Sequence, residues 1–152
     1  MNRRLVCQLP LSMLLASCGG GGGWTEVAFS EQTMNLFRPF AAGEYVWRTA
    51  DQMRAGIAAA PFRVFPVGLV TEEPPEPALD FTTSMVIGLS LGIGKWCFAP
   101  RIVRVLRDGD DTQLEYRVPT ISTLACLRDG PAIAFASVPK APGRVWFRAV
   151  EG

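Results

Sequence analysis

The chain has 152 residues, with 15 Lys and Arg against 14 Asp and Glu, which is enough for one domain with a real hydrophobic core and too little to expect two. Near-neutral charge without a basic run leaves nothing to neutralise phosphates, so nucleic acid is not an expected partner. The complete lack of histidine removes the Ser/His/Asp and Cys/His arrangements that most often activate a nucleophile, and a metal site on two cysteines would need further ligands that no histidine can supply.

Met1-Asn2-Arg3-Arg4 open the chain with two positive charges, and the apolar run over residues 5–16 follows. That run matches a secretory signal in length and falls well short of the roughly 20 residues a membrane span requires. Its end, Leu15-Ala16-Ser17-Cys18, resembles the lipobox of bacterial lipoprotein signal peptides. The resemblance implies cleavage before Cys18, acylation of its thiol and of the new amino group, and an anchor beyond the marginal single-chain regime. Gly19 lacks the aspartate that retains lipoproteins in the inner membrane. A place in the cell envelope is therefore implied, at the outer membrane facing periplasm or cell surface if the cell has two membranes. The five glycines at residues 19–23 make a flexible tether. The expected organisation is a signal peptide over residues 1–17, a lipidated Cys18 with its tether over residues 18–23, and one globular domain over residues 24–152.

Beyond the tether the dominant period is two, with one clear helix. Val27 and Phe29 suggest a short first strand, and Glu44-Tyr45-Val46-Trp47-Arg48 another. Thr49 offers an N-cap hydroxyl with Gln52 at capping-box spacing; Met53, Ile57 and Ala60 then share a face, and Pro61 stops the helix. Phe62-Arg63-Val64-Phe65 reads as an extended piece, and residues 71–77 as a stiff acidic loop whose three prolines preclude regular pairing.

The second half reads as antiparallel sheet. Residues 84–91 are almost all apolar or small and fit a central strand, after which Gly92-Ile93-Gly94-Lys95 is expected to turn the chain. A strand over residues 101–106, a hairpin at Asp108-Gly109-Asp110-Asp111 and a returning strand with Leu114, Tyr116 and Val118 in alternation come next. Residues 132–138 and 144–150 supply two more strands around the turn at residues 139–143. The expected fold class is α+β and mainly β: an antiparallel sheet, as a two-layer sandwich or a partly open barrel, with one amphipathic helix packed on it.

Cysteine usage fits an exported address. Cys7 leaves with the signal and Cys18 carries lipid, so Cys97 and Cys126 remain, and in an oxidising compartment two thiols read most simply as one disulfide worth about 3–4 kcal/mol. Two buried free thiols are the alternative. Charge is uneven: residues 24–80 carry eight acidic and four basic side chains, residues 81–152 six acidic and nine basic. That asymmetry hints at a polar, protein-facing surface.

Asp80-Phe81, Met85-Val86 and Gly88, the glycines that follow, Ile102 and Val105, Leu114 and Tyr116, and Pro131 leading through Ala134-Phe135 to Val138-Pro139-Lys140 and Val145-Trp146-Phe147 carry a further likeness. In order and spacing they resemble the C-terminal domain of the protease complex subunit PrcB family, over roughly residues 80–150. This chain has Gly94-Lys95-Trp96-Cys97 where that family more usually has a glycine-glycine-aromatic turn. The resemblance implies an exported protein, often a lipoprotein, that supports a peptidase rather than cleaving anything itself.

Candidate chemistry is sparse. Lys95 with Ser84 or Ser90 can be drawn as a dyad, Asp108, Asp110 and Asp111 as a calcium cluster, and Asp80 with Glu115 as an acid/base pair. A turn lysine, a plain hairpin and strand-edge charges account for them more simply, so no catalytic residue, metal or cofactor is expected. Trp96 and Phe98 beside the glycine turn, with Lys95 and Lys140, form the candidate partner-binding set, since Trp is enriched at interface hot spots. Trp146 and Phe147 lie on opposite strand faces, so at least one of them reaches a surface or a helix. The expected function is that of a membrane-anchored, extracytoplasmic lipoprotein acting as a non-catalytic protein-binding domain that stabilises or assembles an envelope or secreted peptidase. The alternatives are a peptidase inhibitor inserting the loop at residues 72–77 or 92–96, and a small-ligand carrier with an apolar cavity between sheet and helix.

Overall fold

The computed structural model describes residues 23–32, 38–60, 77–120 and 129–151, and only the backbone of Lys95 and Trp96. The signal sequence with Cys18, the glycine tether up to residue 22, Pro61 and the extended piece at residues 62–65, the acidic loop up to residue 76, and Cys126 lie outside these residues.

Eight strands and one helix follow in the order β1 (Thr25–Val27), β2 (Ser30–Gln32), β3 (Gly43–Trp47), α1 (Ala50–Ala59), β4 (Ser84–Lys95), a 3-10 turn (Trp96–Phe98), β5 (Arg101–Asp108), β6 (Asp111–Arg117), β7 (Asp129–Pro139) and β8 (Val145–Ala149). They form two four-stranded sheets, ordered β1-β5-β6-β8 and β2-β7-β4-β3. Pairing is antiparallel throughout except between β6 and β8, which run parallel. The mainly β fold with one helix is thus a sandwich rather than a barrel, and α1 adds a third layer on the second sheet.

This layering explains why β4 is almost unbroken hydrophobic sequence: a strand covered on both faces has no solvent side to mark with polar residues. Met85, Ile87 and Leu89 point between the sheets, against Ala136 and Val138 of β7, Ile102 and Val105 of β5, and Leu114 of β6. Val86 points the other way, into a cluster with Phe40, Trp47, Met53, Ile57, Ile133 and Phe135 beneath α1. Each large side chain so buried contributes about 1.5–3 kcal/mol.

Two glycines let the helical layer close. A Cβ on Gly56 of α1 would come within 2.8 Å of the Trp47 ring, and one on Gly88 of β4 would lie 2.5 Å from the Ala134 carbonyl oxygen and 2.6 Å from Phe135 Cγ. The Phe135 ring lies over the bare backbone of Gly88 and stacks on Trp47, centroids 5.1 Å apart at an interplanar angle of 13°. Phe40 and Tyr45 pack around this pair, tilted 54° and 52° to the Phe135 ring and edge-on to each other. The helix starts as expected: Thr49 Oγ1 accepts the Gln52 N–H at 3.2 Å, and Gln52 Oε1 in turn accepts the Arg48 N–H, one residue ahead of the cap. Met53, Ile57 and Ala60 are all buried.

Three local expectations are corrected. Residues 92–95 do not turn the chain. They continue β4 past a bulge between Ser90 and Ile93, with Lys95 opposite Asp129. Gly92 sits at φ +82°, and its N–H donates to Ser90 Oγ, which itself donates to the Phe40 carbonyl, so the extra residue is absorbed without ending the strand. The reversal falls instead on the 3-10 turn. The first strand is two strands, because Ala28 and Phe29 carry the chain from β5 in one sheet to β7 in the other. Finally, β7 and β8 are not a hairpin: the turn at residues 140–144 passes the chain between sheets and delivers β8 parallel to β6.

Candidate functional site

Among the described residues no helix or strand covers the outer face of the first sheet, because α1 packs on the second. Alternation along β6 sends Thr112, Leu114 and Tyr116 inward and Gln113, Glu115 and Arg117 outward; along β8 it sends Val145 and Phe147 inward and Trp146 and Arg148 outward. The register places Arg104 of β5, Glu115 of β6 and Arg148 of β8 in one row across the sheet.

Glu115 is the centre of that row and is only 1% exposed. Arg104 Nε donates to its Oε2 at 2.6 Å, Gln113 Nε2 donates to its Oε1 at 2.9 Å, and Arg148 stands 3.6 Å from the same Oε1. The cover is a single layer of neighbouring side chains rather than a thick core. The hydrogen bond from Arg104 is the main reason the Glu115 carboxyl is held below the usual range, outweighing the desolvation that opposes it, and the same bond raises Arg104. Two guanidinium groups share this carboxylate, and Glu26 of β1 also attracts Arg104, so the positive charge left over lies at the Arg148 end of the row.

The neighbouring positions add to it. Arg101 of β5 and Arg117 of β6 face each other directly, a like-charge cross-strand pair, and neither makes an ion pair among the described residues. On the opposite side of the row, Trp146 stands beside Gln113 and is 47% exposed, with the Arg144 guanidinium 6.0 Å from its ring centroid. Val103, pushed out by the bulge between Ile102 and Arg104, is also exposed. Planar forks of five donors around an exposed aromatic suit carboxylates on a partner surface.

The face ends at β8, the last strand of its sheet. Thr112 N–H bonds the Arg144 carbonyl and Val150 N–H bonds the Tyr116 carbonyl, each at 2.8 Å, which sets the phase of the parallel ladder. Residues 144, 146, 148 and 150 therefore bond toward β6, and residues 145, 147 and 149 aim their backbone groups at the open edge. Beside that edge lies an open depression of about 530 Å³ between the two sheets, lined by Val46, Arg48, Asp111, Pro142, Gly143, Arg144, Val145 and Trp146. Its floor is fixed from both sides. Arg48 donates to the carbonyls of Ala141 and Gly143, and Asp111 Oδ1 accepts the Arg144 N–H at 2.8 Å.

The candidate partner-binding residues chosen from sequence do not come together. Lys95, Trp96 and Phe98 lie at one end of the β4–β7 ladder and Lys140 follows the other, where Ser84 pairs with Pro139. At about 3.3 Å per residue these ends are roughly 30 Å apart. Phe98 is half-buried, and Cys97 beside it is disulfide-bonded. Cys126, its expected partner, lies outside the described residues. Lys140 is occupied locally: Nζ donates to the Phe81 carbonyl at 2.8 Å, helping to close the turn in which Asp80 accepts from Thr82 and Thr83. Those bonds, Thr82 first, lower the Asp80 carboxyl, with Lys140 adding to them.

The weaker constellations also separate. Ser90 is buried and committed to Phe40 and Gly92; Asp111 is committed to the Arg144 amide; Asp80 lies before β4, outside any strand, while Glu115 is on β6 of the other sheet. The space where a carrier would hold its ligand, between the second sheet and α1, is filled by Phe40, Trp47, Met53, Ile57 and Phe135. The arginine face went unremarked in the sequence, though the alternation Gln113, Glu115, Arg117 and Trp146, Arg148 signalled it. Only the strand order shows that these residues share one surface.

No family model matches the chain, and no curated protein or solved structure matches it significantly.

Proposed function

We propose that the protein is a lipid-anchored, extracytoplasmic protein-binding domain that stabilises or assembles an envelope or secreted peptidase without catalysing a reaction. Two features support this reading. The sequence Leu15-Ala16-Ser17-Cys18 and its glycine tether lead directly to the body that begins at β1. Among the described residues no helix or strand covers one sheet face, on which Arg104, Arg148, Arg101, Arg117 and the exposed Trp146 are arrayed. The second observation carries the proposal, because a cationic face with an aromatic anchor is suited to docking an acidic protein surface.

The mechanism is mass action. A domain that binds only the folded form of its partner stabilises it by RT ln(1 + [L]/Kd), and confinement of both to one membrane raises the effective concentration. The likeness to the protease complex subunit PrcB family suggests a peptidase as that partner. Removing the gene from its native cell tests this. The level or activity of at least one envelope or secreted peptidase should fall and be restored by the wild-type chain but not by Cys18→Ser. If every such peptidase is unchanged, the proposal fails.

A further inference from the structure

Resting on the protein-binding reading above, we propose that the open edge of β8 is a strand-addition site for an extended acidic segment of the partner protein. The juxtaposition that argues for it is an unpaired strand edge directly beside a surplus of guanidinium groups. The sheet ends at β8, and no described strand pairs with its other side. The outward N–H and C=O groups of Val145, Phe147 and Ala149 are in register for a further strand.

Exposed strand edges invite pairing with any extended chain, and natural proteins protect them with charge. Here the protection is also a selectivity device. The outward side chains of β8 are Trp146 and Arg148, and Arg144 precedes them over the Trp146 ring. An added strand with a carboxylate beside Arg148 completes a row that now has two guanidinium groups sharing Glu115. Two residues along the added strand, on the same face, a second carboxylate would meet the Arg144 guanidinium that stands 6.0 Å from the Trp146 ring centroid. On the opposite face, small apolar residues suit the neighbourhood of Val145, Phe147 and Ala149. The expected ligand pattern is therefore alternation of apolar and acidic residues over about five to seven positions.

The test uses the full chain in detergent micelles and two synthetic heptapeptides, one alternating valine with glutamate and one alternating valine with lysine. The glutamate peptide at millimolar concentration should bind, weaken as salt is raised, and slow amide exchange at residues 145, 147 and 149, while residues 146 and 148, already bonded to β6, change little. Arg148→Glu should reduce affinity about tenfold or more. Ala149→Pro removes one outward donor without removing a bond to β6, so it should weaken binding with no change in thermal unfolding beyond a few degrees; should it fail to fold, the exchange pattern and Arg148→Glu decide. Equal binding of the lysine peptide, absence of binding by the glutamate peptide, or binding without protection at those three amides overturns the proposal. A negative result here, with peptidase levels still dependent on the gene, overturns the edge site alone.

Discussion

Gly88→Ala is the sharpest test of the three-layer packing. The new methyl group would overlap the Phe135 ring and lie 2.5 Å from the carbonyl oxygen of Ala134, which is backbone and cannot rotate away. The ring must leave its place on Trp47 or the two central strands must separate. Overpacking of this kind costs about 1–3 kcal/mol, and loss of the aromatic stacking about 0.5–1.5 kcal/mol more. A total near 3 kcal/mol lowers the melting temperature of a domain this size by roughly 10 °C. Gly94→Ala, in the same strand, is the control, since a Cβ there meets nothing within 4 Å. It should be neutral or slightly stabilising, because alanine reduces the freedom of the unfolded chain. Thermal unfolding of both variants by circular dichroism measures the difference. A Gly88→Ala melting point within about 2 °C of wild type, or an equal loss in Gly94→Ala, would refute the packing of Phe135 over Gly88.

Two further predictions concern charge and sulfur. The Glu115 carboxyl is held below its ordinary range in the folded protein, so its contribution to stability is present above the unfolded value and lost as pH falls through the folded one. Glu115→Gln should cost about 1 kcal/mol or less at neutral pH, since Arg104 is screened by solvent, and should flatten the acid limb of a stability-against-pH curve below about pH 4.5; an unchanged acid limb would contradict the assignment. For the sulfurs, the chain purified from the envelope should show Cys97 and Cys126 resistant to alkylation until reduced, with a linked peptide in the non-reduced digest. Alkylation of both without reductant would eliminate the disulfide.

Local signals recovered most elements, because each depended on chemistry within a few residues. Thr49 with Gln52 marked the helix start, Gly109 the two-residue hairpin with φ +56°, and the apolar run in β4 the central strand. What failed was non-local. Gly92 reads as a turn residue, and only pairing of β4 with a long β7 makes it a bulge. The turn after Pro139 looks like a hairpin connection, and only the parallel partner β6 shows that it changes sheets. For the same reason the candidate site differs: Lys95 and Lys140 both read as turn residues, yet the β4–β7 ladder holds them at opposite ends. The arginine face is built from strands that are 30 residues apart or more in places, with Glu115 bound to Arg104 across a hairpin and to Arg148 across a sheet crossover.

The proposed function requires this body to sit outside the cytosol on an acylated Cys18. Growing cells with radiolabelled palmitate, then isolating the wild-type and Cys18→Ser chains from membrane and soluble fractions, tests that claim most directly. Label in the membrane-bound wild-type chain alone is the predicted result; an unlabelled wild-type chain, or one recovered soluble inside the cell, would contradict it.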